Sequence, residues 1–164
     1  MIRNKSILIT GGAGFVGSNL IHLLLKKTKY NILSLDNYSS GHKRNHIKSK
    51  RVKYIKGETK NIKSLIKKPK NIHSVFHFGE FARIYQSFID MSECVESNTI
   101  GTNSVFNFCL KNNIKLIYSA TSATLGNKGN DKNLSPYAFT KAKNLELLEN
   151  LKKWFNFKYE VIYF

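Results

Sequence analysis

SILITGGAGFVGSNLIHLLLKK, residues 6–27, passes from a short apolar run into a cluster of glycines and then into a helix-period pattern. The apolar run Ser6–Thr10 predicts a β-strand, and the leucine-rich remainder predicts a helix. Between them, Gly11 permits a tight turn, Gly14 lets the backbone approach a ligand, and Gly17 lets the helix pack on the strand. A strand, a glycine turn and a helix N-terminus together form a binding site for a pyrophosphate.

An aspartate follows at the distance at which such a site contacts a nucleoside. Asp36 ends the second apolar run, YNILSLD, and lies 19 residues after Gly17. A carboxylate about 20 residues beyond the glycines accepts hydrogen bonds from the adenosine ribose and repels a 2′-phosphate. Taken alone, Asp36 is also compatible with a simple strand-end turn. Together with the glycines, it favours a dinucleotide site that takes NAD rather than NADP.

The composition is that of one folded domain spanning residues 1–164. With 41% hydrophobic residues, a chain of 164 residues can bury one sizeable core. The N-terminus runs directly into the first strand without a signal-peptide pattern, and no apolar stretch approaches the roughly 18 residues that a membrane helix needs. These features predict a soluble, cytoplasmic protein without a membrane partner.

The net charge of +17 is carried mainly by lysine, since only four of the 27 basic residues are arginines. The lysines are scattered among many Asn and Ile residues, as an A/T-rich coding sequence produces. Nucleic-acid sites usually favour arginine forks and exposed aromatic residues. The densest basic stretch, residues 42–56, follows the second strand, and we expect it to be a solvated loop. No nucleic-acid partner is therefore predicted.

The cysteines and histidines do not suggest a disulfide or a metal site. Cys94 and Cys109 lie in a segment that reads as one helix, which cannot bring them within bridging distance, so free and buried thiols are expected. The five histidines share no metal-like spacing with cysteines or acids. We expect no bound metal.

Strand-like runs recur six times, and helix-length segments separate most of them. They cover residues 6–10, 30–35, 52–55, 75–78, 115–119 and 158–163. Such alternation predicts an α/β fold, a doubly wound parallel sheet with helices on both faces. The order 3-2-1-4-5-6 follows by analogy with other dinucleotide-binding sheets. Residues 126–133, GNKGNDKN, read as a flexible exposed loop.

A second group of candidate residues lies near the fifth strand. SPYAFTKAKNLELLENLKKWF predicts a helix with Ser135 as its N-cap, and Tyr137 and Lys141 stand one turn apart on it. A fixed positive charge beside a phenol favours the phenolate, a general base. One Tyr-x-x-x-Lys is expected by chance in a chain this rich in lysine. The motif is informative here because it lies at a helix start after the fifth strand, where the strand ends of such sheets line the ligand crevice. Hydroxyls at the strand end could bind a substrate oxygen or only close a turn: Ser119, Thr121, Ser122 and Thr124.

Six motifs occur in the order and spacing of the extended short-chain dehydrogenases/reductases, and the chain resembles that family over almost its whole length. They are GGAGFVGSNL, DNYSSGH, VFHFGE, ESNTIGT, YSATSATLG and Tyr137-Ala-Phe-Thr-Lys141. Within the family, the pattern is most similar to the NAD-dependent nucleotide-sugar epimerases and dehydratases, and especially to UDP-glucose 4-epimerases. The resemblance implies a Rossmann-like domain of about six strands that holds NAD tightly.

The resemblance also assigns individual residues. It implies that Thr121, Tyr137 and Lys141 are catalytic, with Ser122 a less favoured register for the hydroxyl. It implies contacts to NAD from the glycine turn, the ends of the second, third and fourth strands, and the helix after the fourth strand. These residues are Gly11, Gly14, Phe15, Val16, Gly17, Asp36, Asn37, Glu58, Thr59, Phe78, Gly79, Asn98, Tyr137 and Lys141.

The implied reaction is transient oxidation of a nucleotide sugar, with a UDP-hexose as substrate and a homodimer as the full-length form. The 4,6-dehydratases of the family carry an acid pair after the catalytic hydroxyl, whereas here Ser122 and Ala123 follow Thr121. This difference favours an epimerase over a dehydratase.

The chain departs from the family pattern at several places. Glu58 stands where the usual residue is aspartate, and Ala82 replaces a lysine of some 4-epimerases. Glu80 and Arg83 either line the substrate side or form an ordinary surface pair. Family enzymes reach about 300 residues, the size of a domain plus a substrate lobe, so we expect that the C-terminal substrate-binding portion is missing. The alternative function is a truncated NAD-binding module without turnover.

Overall fold

The computed structural model describes residues 5–164 and contains one parallel sheet of six strands. The strands are β1 (Ser6–Thr10), β2 (Asn31–Asp36), β3 (Val52–Lys56), β4 (Ile72–His77), β5 (Lys115–Ala120) and β6 (Tyr159–Tyr163). Their order is β3-β2-β1-β4-β5-β6, and every neighbouring pair is parallel. The predicted fold class and strand order are confirmed, with strand ends that differ by at most three residues.

Six α-helices connect or flank the strands. They are α1 (Phe15–Lys27), α2 (Ile62–Leu65), α3 (Gln86–Ile89), α4 (Met91–Val95), α5 (Thr102–Lys111) and α6 (Pro136–Phe155). A π-helical stretch, Glu96–Gly101, joins α4 to α5 without a break. Cys94 and Cys109 therefore lie on one continuous helical run, and both are buried and free, as expected.

The apolar core is divided between the two faces of the sheet. Leu8 of β1 belongs to a large cluster with residues of α5 and α6, whereas its neighbours Ile7 and Ile9 belong to a smaller cluster with Ile21 of α1. Alternate residues of a strand point to opposite faces. Helices consequently cover the sheet on both sides, and the carboxyl ends of the strands stay accessible at one edge.

The long helix α6 begins as its sequence predicts. The Ser135 hydroxyl accepts a hydrogen bond from the Ala138 backbone N–H at 3.0 Å, and Pro136 occupies the first helical position. The helix ends at Asn156, whose φ of 53° is left-handed. This start places Tyr137 and Lys141 in the first two turns, beside the end of β5.

Arg51 differs from the expectation for the basic stretch, residues 42–56. Its guanidinium donates to the carbonyls of Leu25 at 2.5 Å, Thr28 at 2.8 Å and Tyr30 at 3.3 Å. These carbonyls lie at and just beyond the C-terminal end of α1, where backbone acceptors lack helical partners. The prediction of a fully solvated loop is wrong at this residue, because the planar guanidinium satisfies three carbonyls at once.

The segment Gly126–Asn133 also differs from its predicted form. It adopts 3-10 helical turns rather than an open loop. A 3-10 turn is short and is closed by a single hydrogen bond between residues three apart. The composition of this segment, rich in glycine, asparagine and lysine, therefore does not distinguish such turns from an open loop. Among residues 5–164, no helix is long and apolar enough to cross a membrane.

Candidate active site

A groove at the carboxyl edge of the sheet is built around the glycine turn. Gly11 has a φ of +71°, and a Cβ there would lie 2.7 Å from the Phe78 carbonyl carbon. A Cβ at Gly17 would lie 2.3 Å from the Gly11 carbonyl oxygen. At Gly14, the only near neighbour would be the Gly11 oxygen at 3.3 Å. Gly11 and Gly17 are thus required by backbone packing, whereas Gly14 keeps the wall of the groove open.

The Asp36 carboxylate holds this turn in place. One oxygen accepts from the Ala13 N–H at 2.8 Å, and the other accepts from the Tyr38 N–H at 2.8 Å. A carboxylate oxygen can accept more than one hydrogen bond, so acceptor capacity remains for a ribose hydroxyl. Asp36 therefore links the glycine turn to the loop after β2.

Most of the residues that the sequence pointed to lie around this one groove. Of the fifteen residues that the resemblance assigns to NAD or to catalysis, thirteen lie in its wall: Gly11, Gly14, Phe15, Val16, Gly17, Asp36, Asn37, Glu58, Thr59, Phe78, Gly79, Tyr137 and Lys141. Asn37 donates to the Glu58 carboxylate at 3.3 Å, which joins the ends of β2 and β3. Asn98 and Thr121 lie elsewhere.

Asn98 is fully buried behind the groove. Its side chain accepts from the Phe81 N–H at 2.7 Å and donates to the Phe81 carbonyl at 3.0 Å and the Thr140 hydroxyl at 3.2 Å. These contacts fasten the loop after β4 to α6. In this structure, Asn98 shapes the groove without lining it.

Thr121 directly follows Ala120, which lines the groove at the end of β5. Its hydroxyl oxygen accepts from the Ala123 N–H at 3.3 Å and caps a short 3-10 turn. The hydroxyl proton is not used by that bond. Ser122 is exposed, and its N–H donates to the Phe164 carbonyl at 2.9 Å.

Lys141 makes a buried ion pair with Glu80. The lysine and glutamate side chains are only 3% and 1% exposed, and the Lys141 ammonium also donates to the Ser119 carbonyl at 2.5 Å. Both residues line the groove, whereas Arg83 is exposed. The suggested surface pair of Glu80 with Arg83 is therefore wrong, because the carboxylate turns inward to the ammonium of α6.

His77 is a buried neutral histidine behind the groove. Burial lowers its pKa from 6.5 to about 4, with the Glu80 carboxylate opposing this shift and the Lys141 ammonium adding to it. Its Nε2 lies 3.0 Å from the Thr102 hydroxyl, and its Nδ1 lies 2.6 Å from the Thr10 hydroxyl. At neutral pH the ring thus bridges β1 and α5 without carrying a charge.

Sequence reasoning missed several groove residues. Phe164 lines the groove and packs edge-on against Phe78, with ring centroids 6.1 Å apart. Five further groove residues lie in or beside motifs that carried the resemblance but were not singled out as contacts: Ser39, Ser40, Gly41, Gly57 and Ser97. Ala82, noted as a departure from the family, also lines the groove. Within the described part of the chain, no group of three or more histidine, cysteine or acidic residues could hold a metal ion.

Comparison with known proteins gives a consistent result. Residues 7–163 match the model of the NAD dependent epimerase/dehydratase family. The chain is 31% identical over 148 residues to the ADP-L-glycero-D-manno-heptose-6-epimerase of Brachyspira hyodysenteriae, covering 82% of this chain and 45% of that protein. It is 31% identical over 124 residues to the UDP-glucose 4-epimerase of Halalkalibacterium halodurans, covering 74% and 36%.

A solved structure has the same fold. The UDP-glucose 4-epimerase of Brucella ovis, in complex with NAD, superposes with a TM-score of 0.85 at 24% identity, covering 97% of this chain and 51% of that one. The chain spans about half the length, or less, of these similar proteins.

Proposed function

The chain belongs to the NAD-dependent epimerase/dehydratase family, and we propose that it forms the cofactor-binding half of a nucleotide-sugar epimerase that resembles UDP-glucose 4-epimerase. The observation that carries this proposal is the shared groove. The glycine turn, Asp36, Tyr137 and Lys141 all line it, although they come from opposite ends of the chain. Residues suited to bind a dinucleotide and residues suited to move a proton therefore face the same space.

The family uses NAD, and the groove fits this cofactor. The open wall at Gly14 and the N-terminal end of α1 suit a pyrophosphate, since backbone N–H groups there lack helical partners. The spare acceptor capacity of Asp36 suits the adenosine ribose. Asn37 and Glu58, which are joined by a hydrogen bond, would contact the adenosine.

Three residues would carry out the reaction, and two of them, Tyr137 and Lys141, belong to α6. Tyr137, as phenolate, would take the proton from a sugar hydroxyl and later return it, and it is only 9% exposed. Lys141 would hold the nicotinamide ribose with a donor that Glu80 and Ser119 leave available. Thr121 would orient the sugar hydroxyl with its own hydroxyl proton. The glycine turn, Asp36 and Lys141 would hold NAD, which would supply the hydride acceptor and donor for the sugar carbon.

The residues after Thr121 bear on which reaction of the family this chain supports. Ser122 and Ala123 follow Thr121 without an acid, which favours an epimerase over a 4,6-dehydratase. The two curated relatives are named for epimerisation at different positions, 6 and 4. We propose a UDP-hexose as substrate, a cytoplasmic location, and a homodimer for a full-length form.

A second candidate function is an NAD-binding module without turnover. It is favoured by the observation that the chain spans less than half of the two curated relatives. The residues proposed above to line the groove around NAD all lie within this chain.

Two measurements on the 164-residue chain separate the two functions. NAD at 100 times its dissociation constant stabilises a binding protein by about 2.7 kcal/mol, which raises the melting temperature by about 5–10 °C. We expect this shift under both functions. UDP-glucose is then incubated with the chain and NAD, and formation of UDP-galactose supports the epimerase, whereas its absence supports the module.

The matched variant for this test is Tyr137→Phe. It should keep the NAD-dependent rise in melting temperature while turnover, where present, falls by orders of magnitude, because only the proton acceptor is removed. If neither NAD nor NADH moves the melting temperature of the parent chain, both functions are refuted.

A further inference from the structure

The Glu80 carboxylate has no role in the proposed proton transfer, yet it is among the most deeply buried charges of the molecule. Its side chain is 1% exposed, and it meets the Lys141 ammonium, which is 3% exposed. Removing two charges from water costs several kcal/mol for each ion and is tolerated only where other hydrogen bonds complete the pair. The surroundings of Glu80 therefore reveal what the pair requires.

Four donors surround the Glu80 carboxylate. One oxygen receives Lys141, and the other receives the Thr102 hydroxyl at 2.9 Å, the Tyr118 hydroxyl at 3.0 Å and the Asn144 amide at 3.2 Å. Burial raises the pKa of Tyr118 well above its usual value, and the Glu80 charge adds to this, so Tyr118 stays a neutral donor. The carboxylate is thus occupied by four protein donors, and Glu80 acts through the groups that it holds.

The donors of Lys141 show how Glu80 can act. Its Nζ donates to Glu80 and to the Ser119 carbonyl at 2.5 Å, while the Ser119 hydroxyl is farther away at 3.4 Å. The same Nζ lies 4.8 Å from the centroid of the Tyr118 ring. Two N–H groups are thereby fixed, and the third remains for a ligand in the groove.

The position of Glu80 is itself tied to the glycine turn. Since Glu80 only accepts, Thr102 donates to it and must accept from His77 Nε2–H. His77 Nδ1 then accepts from the Thr10 hydroxyl, whose oxygen accepts from the Gly79 N–H at 3.0 Å. A chain of hydrogen bonds with one consistent direction runs from the residue before Gly11 to the carboxylate.

We propose that Glu80 is a positioning residue for the reaction: its carboxylate holds the Lys141 ammonium fixed at the groove wall, ready to contact NAD beside Tyr137. The role in the reaction rests on the proposed function, whereas the contacts of Glu80 with Lys141 do not depend on it. Without the carboxylate, the nearly buried ammonium would keep only the Ser119 carbonyl as a close partner, and its position at the groove wall would no longer be fixed.

The fixed position of the Lys141 ammonium can be tested directly by NMR of lysine side-chain NH₃⁺ groups in the ¹⁵N-labelled 164-residue chain without NAD. A buried ammonium that is held by hydrogen bonds exchanges slowly and gives its own cross-peak, which is assigned by its loss in Lys141→Met. We expect this cross-peak at pH 7 in the parent and its loss in Glu80→Gln. The matched control is Glu160→Gln, which removes the carboxylate of the exposed Lys115 pair and should keep the cross-peak.

Binding of NAD by titration calorimetry gives the functional readout. Glu80→Gln should bind NAD about tenfold more weakly, the effect of losing one charge-assisted hydrogen bond, while Glu160→Gln binds as the parent does. Glu80→Asp keeps a carboxylate and should recover the cross-peak and part of the affinity. A purely structural role for Glu80 would lower the melting temperature without removing the cross-peak.

Three results would overturn the proposal. The first is a parent chain that gives no Lys141 NH₃⁺ signal, a test that does not depend on any variant folding. The second is a folded Glu80→Gln variant that keeps the signal unchanged. The third is a Glu80→Gln variant that loses the signal but binds NAD as tightly as the parent does. A parent that shows the signal but binds no NAD refutes the proposed function and leaves the geometry of Glu80 and Lys141 intact.

Discussion

Acidification should destabilise this protein through His77. Its pKa is about 4 in the folded chain, against 6.5 for an ordinary histidine, chiefly because the ring is completely buried. Between pH 6.5 and pH 4 the unfolded chain therefore binds a proton at His77 that the folded chain does not bind. The free energy of unfolding rises with pH wherever the unfolded state binds more protons. Stability is thus complete above pH 6.5 and is lost as the pH falls toward 4.

The size of the effect follows from the same two values. Two and a half pH units at about 1.4 kcal/mol each give about 3.5 kcal/mol in total. Titration of a single site places about 2 kcal/mol of this loss between pH 7.5 and pH 5. For a native stability of about 5–15 kcal/mol, this is a substantial fraction.

Urea unfolding at intervals from pH 7.5 to pH 5 measures this loss. Carboxylates also titrate toward the lower end, so the quantity of interest is the difference between the parent and His77→Gln, which has no ring to protonate. The parent should lose about 2 kcal/mol more than His77→Gln over this range. His73→Gln, on the same strand but exposed, is the control and should follow the parent. Parallel losses in the parent and His77→Gln would refute the reasoning.

Three further predictions concern other parts of the fold. Gly17→Ala places a Cβ 2.3 Å from a backbone oxygen and should cost about 1–3 kcal/mol in thermal unfolding, whereas Gly14→Ala should change stability by no more than about 0.5 kcal/mol; equal effects would contradict the packing argument. Arg51→Met should lower the urea-derived free energy of unfolding by about 2 kcal/mol, and the exposed Arg44→Met should not. NAD should bind at least about tenfold more tightly than NADP in calorimetry, because Asp36 repels a 2′-phosphate; comparable affinities would remove that role from Asp36.

The sheet could be predicted from the sequence because its signals are local. Each strand is a short apolar run, and the glycine turn and the start of α6 are read from a few consecutive residues. Tyr137 and Lys141 face the same groove because four residues make about one turn of a helix. These features need no knowledge of what else packs nearby.

Contacts between distant segments could not be predicted in the same way. Glu80 and Lys141 are separated by 61 positions, and the sequence around Glu80 does not indicate whether its side chain turns inward or outward. The family resemblance suggests that Asn98 contacts the cofactor, whereas in this structure its side chain is hydrogen-bonded to Phe81 and Thr140. Such outcomes depend on which donors and acceptors remain unpaired after the helices dock on the sheet.

The central place of β1 in the sheet affects how the chain can fold during synthesis. β1 pairs with β2 on one side and with β4 on the other, and β4 ends at His77. A ribosome-bound chain shorter than that length leaves one edge of an apolar strand without its partner. Parallel pairings between distant segments also form slowly. We therefore expect the early nascent chain to expose an unpaired apolar strand edge, and a pause in translation before His77 should increase aggregation.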